Sequence, residues 1–231
     1  MNKFNSGLYI VSTPIGNLDD ITLRSLEVLK KSDIILCEDT RRSLKLLNHY
    51  KIKKKLLSYH KFNEQKELQK IIEYLNEGKI LSLVSDAGTP TLSDPGFLLI
   101  KTCIQNNIKI YPIPGPSAIT AAVSISGFDD KFLFYGFLPK TENDLVKTIN
   151  RLKDLDFSIV FFIPAKKINF YLKFFKENFF NRDILIAREI SKIHETFYRE
   201  KIGTIKPFKT KIKGELTIVI SKIYTNNKSV S

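Results

Sequence analysis

Ser85-Asp86-Ala87-Gly88-Thr89-Pro90-Thr91-Leu92-Ser93-Asp94-Pro95-Gly96 is the stretch from which the rest of the chain is read. The apolar run Lys79 to Val84 before it has the length and Ile/Leu/Val content of a buried strand, and Phe97 to Gln105 after it reads as a helix. A parallel strand therefore empties into a long loop of Gly, Pro, Asp and small hydroxyl residues before the chain turns into a helix. A plain connection of this kind needs only ~2–6 residues, and in open α/β sheets ligands bind at the carboxyl ends of the strands. Gly88 and Gly96 admit positive φ or the close approach of a ligand, while Pro90 and Pro95 stiffen the loop. An elaborate turn with two Asx caps is the competing reading.

Working outward, the same grammar repeats. Gly7 to Ser12 reads as a strand ended by Thr13-Pro14-Ile15-Gly16-Asn17, after which Asp19 or Asp20 caps a helix with Leu23, Leu26 and Leu29 on one face. Ile34 to Cys37 is a second strand ending on Glu38-Asp39-Thr40-Arg41-Arg42, and Leu44 and Leu47 continue into a helix. Lys55 to Tyr59 delivers His60 and then Asn63-Glu64 at a helix start. That helix carries Leu68, Ile71, Ile72 and Leu75 and closes at Gly78. Asn107 to Tyr111 is the fifth strand, followed by Pro112-Ile113-Pro114-Gly115-Pro116-Ser117-Ala118. Strict alternation of strand and helix predicts a parallel, right-handed doubly wound sheet. This N-terminal α/β domain is expected to span residues 1–117.

Past Thr120 the pattern changes. Lys131 to Phe137 and Phe157 to Ile163 are strands, each followed by a helical segment. Asp183 to Ile190, Glu195 to Lys201 and Glu215 to Ser221 follow as strands with short turns at Gly203 and Gly214, which favours antiparallel pairing. Residues 118–231 are thus expected to form a mixed-sheet α/β domain, entered through Ala118 to Phe128, with a polar, frayed tail after Tyr224.

Hydrophobic residues make up 43% of the chain, which excludes a disordered one. No apolar run approaches the ~18–20 residues of a membrane span, and the amino terminus does not read as a signal peptide. Cys37 and Cys103 read as buried free thiols, and His49, His60 and His194 have no partners at ligand spacing, so neither a disulfide nor a metal site is expected. A soluble cytoplasmic protein is the expectation. The formal net charge of +13 favours an anionic macromolecular partner, above all nucleic acid, against the plainer reading of evenly spread, solvated lysines. Lysines cluster at Lys51, Lys53, Lys54, Lys55 and Lys61, and again at Lys206, Lys209, Lys211 and Lys213.

The strand-end loops contain neither G-x-x-x-x-G-K-[ST] nor a true G-x-G-x-x-G, and they are nearly free of Lys and Arg in an otherwise very basic chain. A phosphorylated ligand would call for amide nests or cations there. A neutral or cationic ligand rich in hydrogen-bonding groups would not, and S-adenosylmethionine fits that description. Asp86, Ser85, Thr89 and Ser117 can serve its polar groups, with close backbone approach at Gly88 and Gly115. A Gly88→Val change is accordingly expected to exclude the ligand sterically while leaving the fold intact.

Seven segments, in order, carry a resemblance: Ser12 to Asp20, Glu38-Asp39-Thr40-Arg41, Tyr59-His60, Ser85 to Gly96, Pro114 to Ala118, Tyr135-Gly136-Phe137-Leu138-Pro139-Lys140 and Ala187-Arg188-Glu189. From Gly7 to about Ser221 the chain resembles the tetrapyrrole methylase superfamily, the class III methyltransferases. Within it the chain is most similar to the branch that methylates the ribose 2′-hydroxyl of a decoding-site cytidine in 16S rRNA of the small ribosomal subunit. The resemblance implies a two-domain α/β architecture, S-adenosylmethionine folded into the cleft between the domains, and a homodimer; no membrane partner is expected, since no apolar run is long enough to span one. It places Pro14, Ile15 and Gly16 in the first cofactor loop, Asp86, Gly88, Thr89 and Pro90 in the central one, which Ser85 opens, and Ser117 with Ala118 in the third. Ala187, Arg188 and Glu189, with Glu215 to Thr217, correspond to segments that close over adenosine. One segment departs: where the family has an acidic residue before a His-Arg pair, this chain has Phe162-Ile163-Pro164-Ala165-Lys166-Lys167, which keeps positive charge and lacks the carboxylate.

A ribose hydroxyl is a poor nucleophile until its proton is removed, and general-base help is worth about 10²–10⁴ in rate. Asp39 and His60 end strands at the edge that bears the cofactor loops and are the candidate bases, with Glu38 and Arg41 beside them. The alternatives are an N-cap for Asp39 and a capping or packing role for His60. Arg41 and Arg42 are expected to contact RNA phosphate rather than form isolated surface ion pairs. Lys53 and Lys54 are expected to lie near the same strand ends and to join them. Methylation of a corrin-like tetrapyrrole, with the same fold and cofactor, is the rival activity; a non-catalytic RNA-binding protein is a third class, disfavoured by the intact cofactor loops.

Overall fold

A computed structural model describes residues 4–223, so the tail from Tyr224 read above as frayed lies outside the described residues. The chain divides at Ser117/Ala118 into two compact units.

In the first unit the strands are β1 (Gly7–Val11), β2 (Ile34–Cys37), β3 (Lys55–Ser58), β4 (Ile80–Val84) and β5 (Ile110–Ile113). They form one parallel sheet in the order β3-β2-β4-β1-β5. The intervening helices are α1 (Leu23–Lys31), α2 (Thr40–His49), α3 (Glu64–Asn76) and α4 (Phe97–Gln105). Alternate strand residues point to opposite faces. Tyr9, Val11, Ile35, Cys37 and Val84 therefore pack with Val28, Leu29 and Leu47 from α1 and α2. Leu8, Ile34, Leu36, Leu81 and Leu83 pack with Ile71, Leu75, Leu99 and Cys103 from α3 and α4. Because β2 and β4 are covered on both faces, nearly every residue in them is apolar and buried. Truncating one such side chain, for example Leu36→Ala, removes about 2–5 kcal/mol. Both cysteines are free and buried, as expected.

Two local expectations are corrected. Neither Asp19 nor Asp20 caps α1: they lie in a short 3₁₀ turn, and the cap is Thr22, whose hydroxyl accepts from the Ser25 amide at 3.0 Å. The inward face of α1 is accordingly Ser25, Val28 and Leu29, leaving Leu23 82% exposed. The fifth strand runs over Ile110–Ile113 rather than from Asn107, so Pro112 lies inside it. The strand tolerates a proline because it pairs only with β1 and forms the sheet edge.

The second unit contains α5 (Ala118–Ser124), β6 (Phe132–Phe137), α6 (Glu142–Leu152), β7 (Ser158–Pro164), α7 (Ile168–Asn178), β8 (Asp183–Arg188), β9 (Thr196–Lys201) and β10 (Glu215–Ile220). Its sheet is mixed, in the order β6-β7-β10-β8-β9, with β6 and β7 parallel and the other pairs antiparallel. The α6 and α7 helices cover one face through Ile149, Leu172 and Phe175 against Phe161, Ile186 and Ile218. Ile119 and Ala122 of α5 cover the other against Val160, Leu185 and Val219. The segment expected to join the domains is thus a helix packed on the second sheet. Among the described residues, no helix is long and apolar enough to cross a membrane, and no His/Cys/Asp/Glu group is arranged to hold a metal ion.

Candidate active site

The strand order sorts the candidate loops of the first unit into two neighbouring sets. The adjacent strands β3, β2 and β4 release His60, Glu38-Asp39 and Asp86 at one sheet edge. These residues, with Thr40, Arg41, Ser58, Lys61 and Phe62, line an open cavity of about 440 Å³. The adjacent strands β4, β1 and β5 release the loops 85–90, 12–17 and 113–117 at the same edge. The loop after β4 belongs to both sets, and Asp86 is the residue they share.

Asp39 occupies the N-cap of α2: its Oδ1 accepts from the Arg41 amide at 2.9 Å. The Arg41 guanidinium grips both carboxylate oxygens, Nε to Oδ1 at 3.0 Å and Nη2 to Oδ2 at 2.7 Å. These bonds hold the Asp39 carboxyl well below the usual carboxylate range. The capping reading of Asp39 is the one its geometry realises, and a carboxylate so stabilised is a weak proton acceptor. Glu38, one residue earlier, is its electrostatic opposite. Desolvation first, and then the Asp86 carboxylate, push its carboxyl up, against smaller lowering by His60 and Arg42.

His60 is fixed by the turn it starts. Its amide donates to Asn63 Oδ1 at 2.7 Å, Asn63 Nδ2 donates to the Ser58 carbonyl at 2.9 Å, and the Phe62 amide donates to His60 Nδ1 at 3.2 Å. With Nδ1 an acceptor, the neutral ring carries its proton on Nε2, the tautomer this bond assigns. Asp86 accepts from the Asp39 amide at 3.1 Å and pairs with Arg42 Nη1 at 3.2 Å. Arg41 and Arg42 are therefore both ion-paired with Asp39 and Asp86, contrary to the expectation that they would stand apart from such pairs.

The loops expected to hold the cofactor are stitched to one another. Thr13 and Gly88 exchange backbone hydrogen bonds at 2.9 and 3.0 Å, and Ser12 Oγ meets Thr89 Oγ1 at 3.0 Å. Ser85 Oγ donates to the Gly88 carbonyl at 3.2 Å, and Thr89 Oγ1 donates to the Pro116 carbonyl at 3.3 Å. Gly88 lies at φ +81, and a Cβ there would meet Ile15 Cγ2 at 3.3 Å. A Cβ on Gly115 would meet Ser12 Cβ at 2.9 Å, so the third loop sits directly on the first. Pro14, Ile15, Gly16, Pro90 and Ser117 lie on these joined loops, which contain no Lys or Arg. The cradle fits a ligand without phosphate.

The second-unit residues behave differently. Ala187 and Thr217 are cross-strand partners, and both are buried, Ala187 in the cluster under α5. Arg188 spends its guanidinium on the Lys213 and His194 carbonyls and on Thr196 Oγ1. Glu189 Oε1 accepts from Lys192 Nζ at 3.0 Å and from the Glu215 amide at 2.9 Å. Arg188 and Glu189 brace the loops beside β8 and β10, a role their expected contact with adenosine did not include. Ala118 is the first residue of α5.

Lys53 and Lys54 require the plainest correction. They precede β3, whereas His60 follows it, and β3 runs parallel to its neighbours. At ~3.3 Å per strand residue, roughly 15–20 Å of chain separates them from the cavity edge. The cation that does reach that edge from this part of the chain is Lys61. Sequence reasoning also passed over Ser58, Thr40 and Phe62. The signal for Phe62 was its place beside His60 among polar and charged residues, where no core face calls for it.

Residues 7–206 match the family described as tetrapyrrole (corrin/porphyrin) methylases. A protein of Thermotoga maritima named ribosomal RNA small subunit methyltransferase I is 46% identical over 217 residues, covering 93% of this chain and 97% of that protein. One of the same name from Rickettsia prowazekii is 43% identical over 230 residues, covering 98% and 82%. Among solved structures, the methyltransferase CobJ is similar with a TM-score of 0.70 at 17% identity, covering 97% of both chains. Uroporphyrin-III-C-methyltransferase from Thermus thermophilus is similar with a TM-score of 0.62 at 16% identity, covering 93% of this chain and 94% of that one.

Proposed function

The chain belongs to the tetrapyrrole (corrin/porphyrin) methylase family, and from that premise we propose that it methylates the ribose 2′-hydroxyl of a decoding-site cytidine in 16S rRNA, with S-adenosylmethionine as donor. The observation that carries this reading is the shared sheet edge of the first unit. A cation-free Gly/Pro cradle there adjoins a cavity of carboxylates and imidazole lined also by Arg41 and Lys61, with Arg42 paired to the lining Asp86. The two relatives named for small-subunit ribosomal RNA support the choice of substrate.

S-adenosylmethionine supplies an electrophilic methyl group on a sulfonium. Pro14, Ile15, Gly16, Ser85, Gly88, Thr89, Pro90 and Ser117 are the first-unit residues that would hold it. On the acceptor side, Glu38 is the proton acceptor. Its carboxyl is pushed towards neutrality, where a general base works best, whereas that of Asp39 is pushed away from it. His60, with Nδ1 already accepting, offers Nε2–H as a donor that orients the ribose oxygen. Arg41 and Arg42 can exchange their carboxylate partners for backbone phosphate, because both guanidinium groups are exposed. The second-unit set of Ala187, Arg188, Glu189 and Thr217, with Ala118, is assigned to the adenosine through the family resemblance. The same reading takes the enzyme as a cytoplasmic homodimer acting on the small ribosomal subunit.

The test is to incubate the enzyme with labelled cofactor and small subunits and map the methyl group. A 2′-O-methylcytidine in 16S rRNA is the expected product. Glu38→Gln lowers the single-turnover rate by about 10²–10⁴ with cofactor affinity unchanged. Label entering an added precorrin and never 16S rRNA overturns the substrate; label on a base overturns the ribose chemistry.

A further inference from the structure

We infer that Phe62 is a stacking platform for an unpaired nucleobase of the RNA, a role that rests on the rRNA reading above. Phe62 is 93% exposed, so it does no packing within its unit. It is the one phenyl ring in a cavity lining otherwise made of carboxylates, hydroxyls, imidazole and cations.

The ring stands on a rigid support. Its own amide is bonded to His60 Nδ1, and the Asn63 and Glu64 amides close the turn on the His60 carbonyl at 3.0 and 2.9 Å. The phenyl and imidazole rings sit 6.0 Å apart in an edge-to-face arrangement. Phe62 is thereby placed at a set distance from the residue that orients the acceptor. A nucleotide whose sugar hydroxyl enters among Glu38, His60 and Asp86 carries its base one glycosidic bond further out. There it needs an apolar face that does not discriminate by hydrogen bonding, and a phenyl ring supplies one. The flanking Lys61 and nearby Arg41 lie within the same lining to meet the phosphates on either side. RNA modules recognise splayed single-stranded bases by this combination of aromatic face and basic groove.

The chain contains no tryptophan, so Phe62→Trp creates a single fluorescent reporter at the position in question. The probe is a protein-free RNA hairpin of the 16S decoding region. Phe62→Trp is expected to bind it as the wild type does, with indole emission quenched in step with binding measured by filter retention. Phe62→Ala and Phe62→Leu are expected to weaken binding about 5- to 150-fold, the range of losing one base stack. Melting temperature and S-adenosylmethionine affinity stay unchanged, since the ring supports nothing in the fold. Binding by Phe62→Trp without quenching, or wild-type affinity in Phe62→Ala, overturns the stacking role while leaving the rRNA reading intact. Indole emission that shifts with protein concentration in the absence of RNA overturns it too, by assigning the ring to a contact between two copies. Failure of the wild type to bind either the hairpin or the small subunit overturns both.

Discussion

Replacing Gly88 by alanine separates two things that a loop glycine can do. Its backbone lies at φ +81, and the added Cβ would meet Ile15 Cγ2 at 3.3 Å and the Pro116 carbonyl oxygen at 3.7 Å. Gly78, which follows α3, lies at φ +80 with nothing within 4 Å of an added Cβ. The two substitutions therefore share the backbone term, roughly 1–2 kcal/mol for an L-residue in the left-handed region. Each is expected to lower the melting temperature by about 2–8 °C, at ~2–4 °C per kcal/mol for a chain of this size. They differ in what the strain moves. Gly88 exchanges both its backbone groups with Thr13, so a shift there passes to the loop of Pro14, Ile15 and Gly16; Gly78 has no such connection. Titration calorimetry should show weakened S-adenosylmethionine binding in Gly88→Ala and wild-type binding in Gly78→Ala despite similar melting. Equal, undiminished affinity in both folded variants refutes the placement of the cofactor on these loops. The geometry also revises the Gly88→Val expectation. An added side chain meets Ile15 Cγ2 from a strained backbone, so it also distorts the joined loops and costs stability.

Asp39→Asn keeps an N-capping side chain and loses only the Arg41 pair, so its single-turnover rate should fall no more than a few-fold, far less than that of Glu38→Gln. The two carboxyls also bend the pH dependence of stability in opposite directions. Asp39, lowered in the folded state, contributes stability that is present above the unfolded carboxylate value of about 4 and lost as pH falls through its folded value. Glu38, raised, favours folding below that value and loses its contribution as pH rises through its folded value. Melting curves from pH 3 to 8 should accordingly show Asp39→Asn flattening the acid limb and Glu38→Gln gaining stability towards neutral pH; the reverse pattern sinks both assignments. Binding of the decoding-region hairpin across a salt series should lose about 0.7–0.9 of logarithmic slope for each phosphate contact removed in Arg41→Ala and Lys61→Ala. The Lys53→Ala/Lys54→Ala variant should keep the wild-type slope, because these residues precede β3; a flattened slope there would restore the original expectation.

The parallel sheet was legible because β2 and β4 are sealed on both faces and must be written in nearly unbroken Ile, Leu and Val. The antiparallel run in the second unit was legible from its short turns. The positions of α1 and β5 were less so. Thr22 and the acidic pair before it are equally good caps in sequence, and only the 3₁₀ turn at Leu18–Asp20 decides between them. Pro112 argues against a strand unless the strand is already known to be an edge. For the site, Glu38, Asp39, His60 and Asp86 follow from being at strand ends, since parallel strands all end at one edge. Their division of labour does not follow, because it depends on which carboxylate Arg41 reaches. Lys53 and Lys54 lie elsewhere because closeness in sequence to His60 is not closeness in space when a strand lies between.

Pro112 has a consequence beyond the length of β5. The Leu8 amide of β1 and the Ser12 amide just after it donate to the Lys109 and Ile113 carbonyls, so the residues of β5 that bond to β1 alternate and Pro112 falls on the outward-facing set. The sheet margin there is missing an amide donor at mid-strand. A foreign strand trying to extend the ladder would meet the pyrrolidine ring where it needs a proton. The same proline that obscured the strand in the sequence thus keeps that strand from acquiring a neighbour.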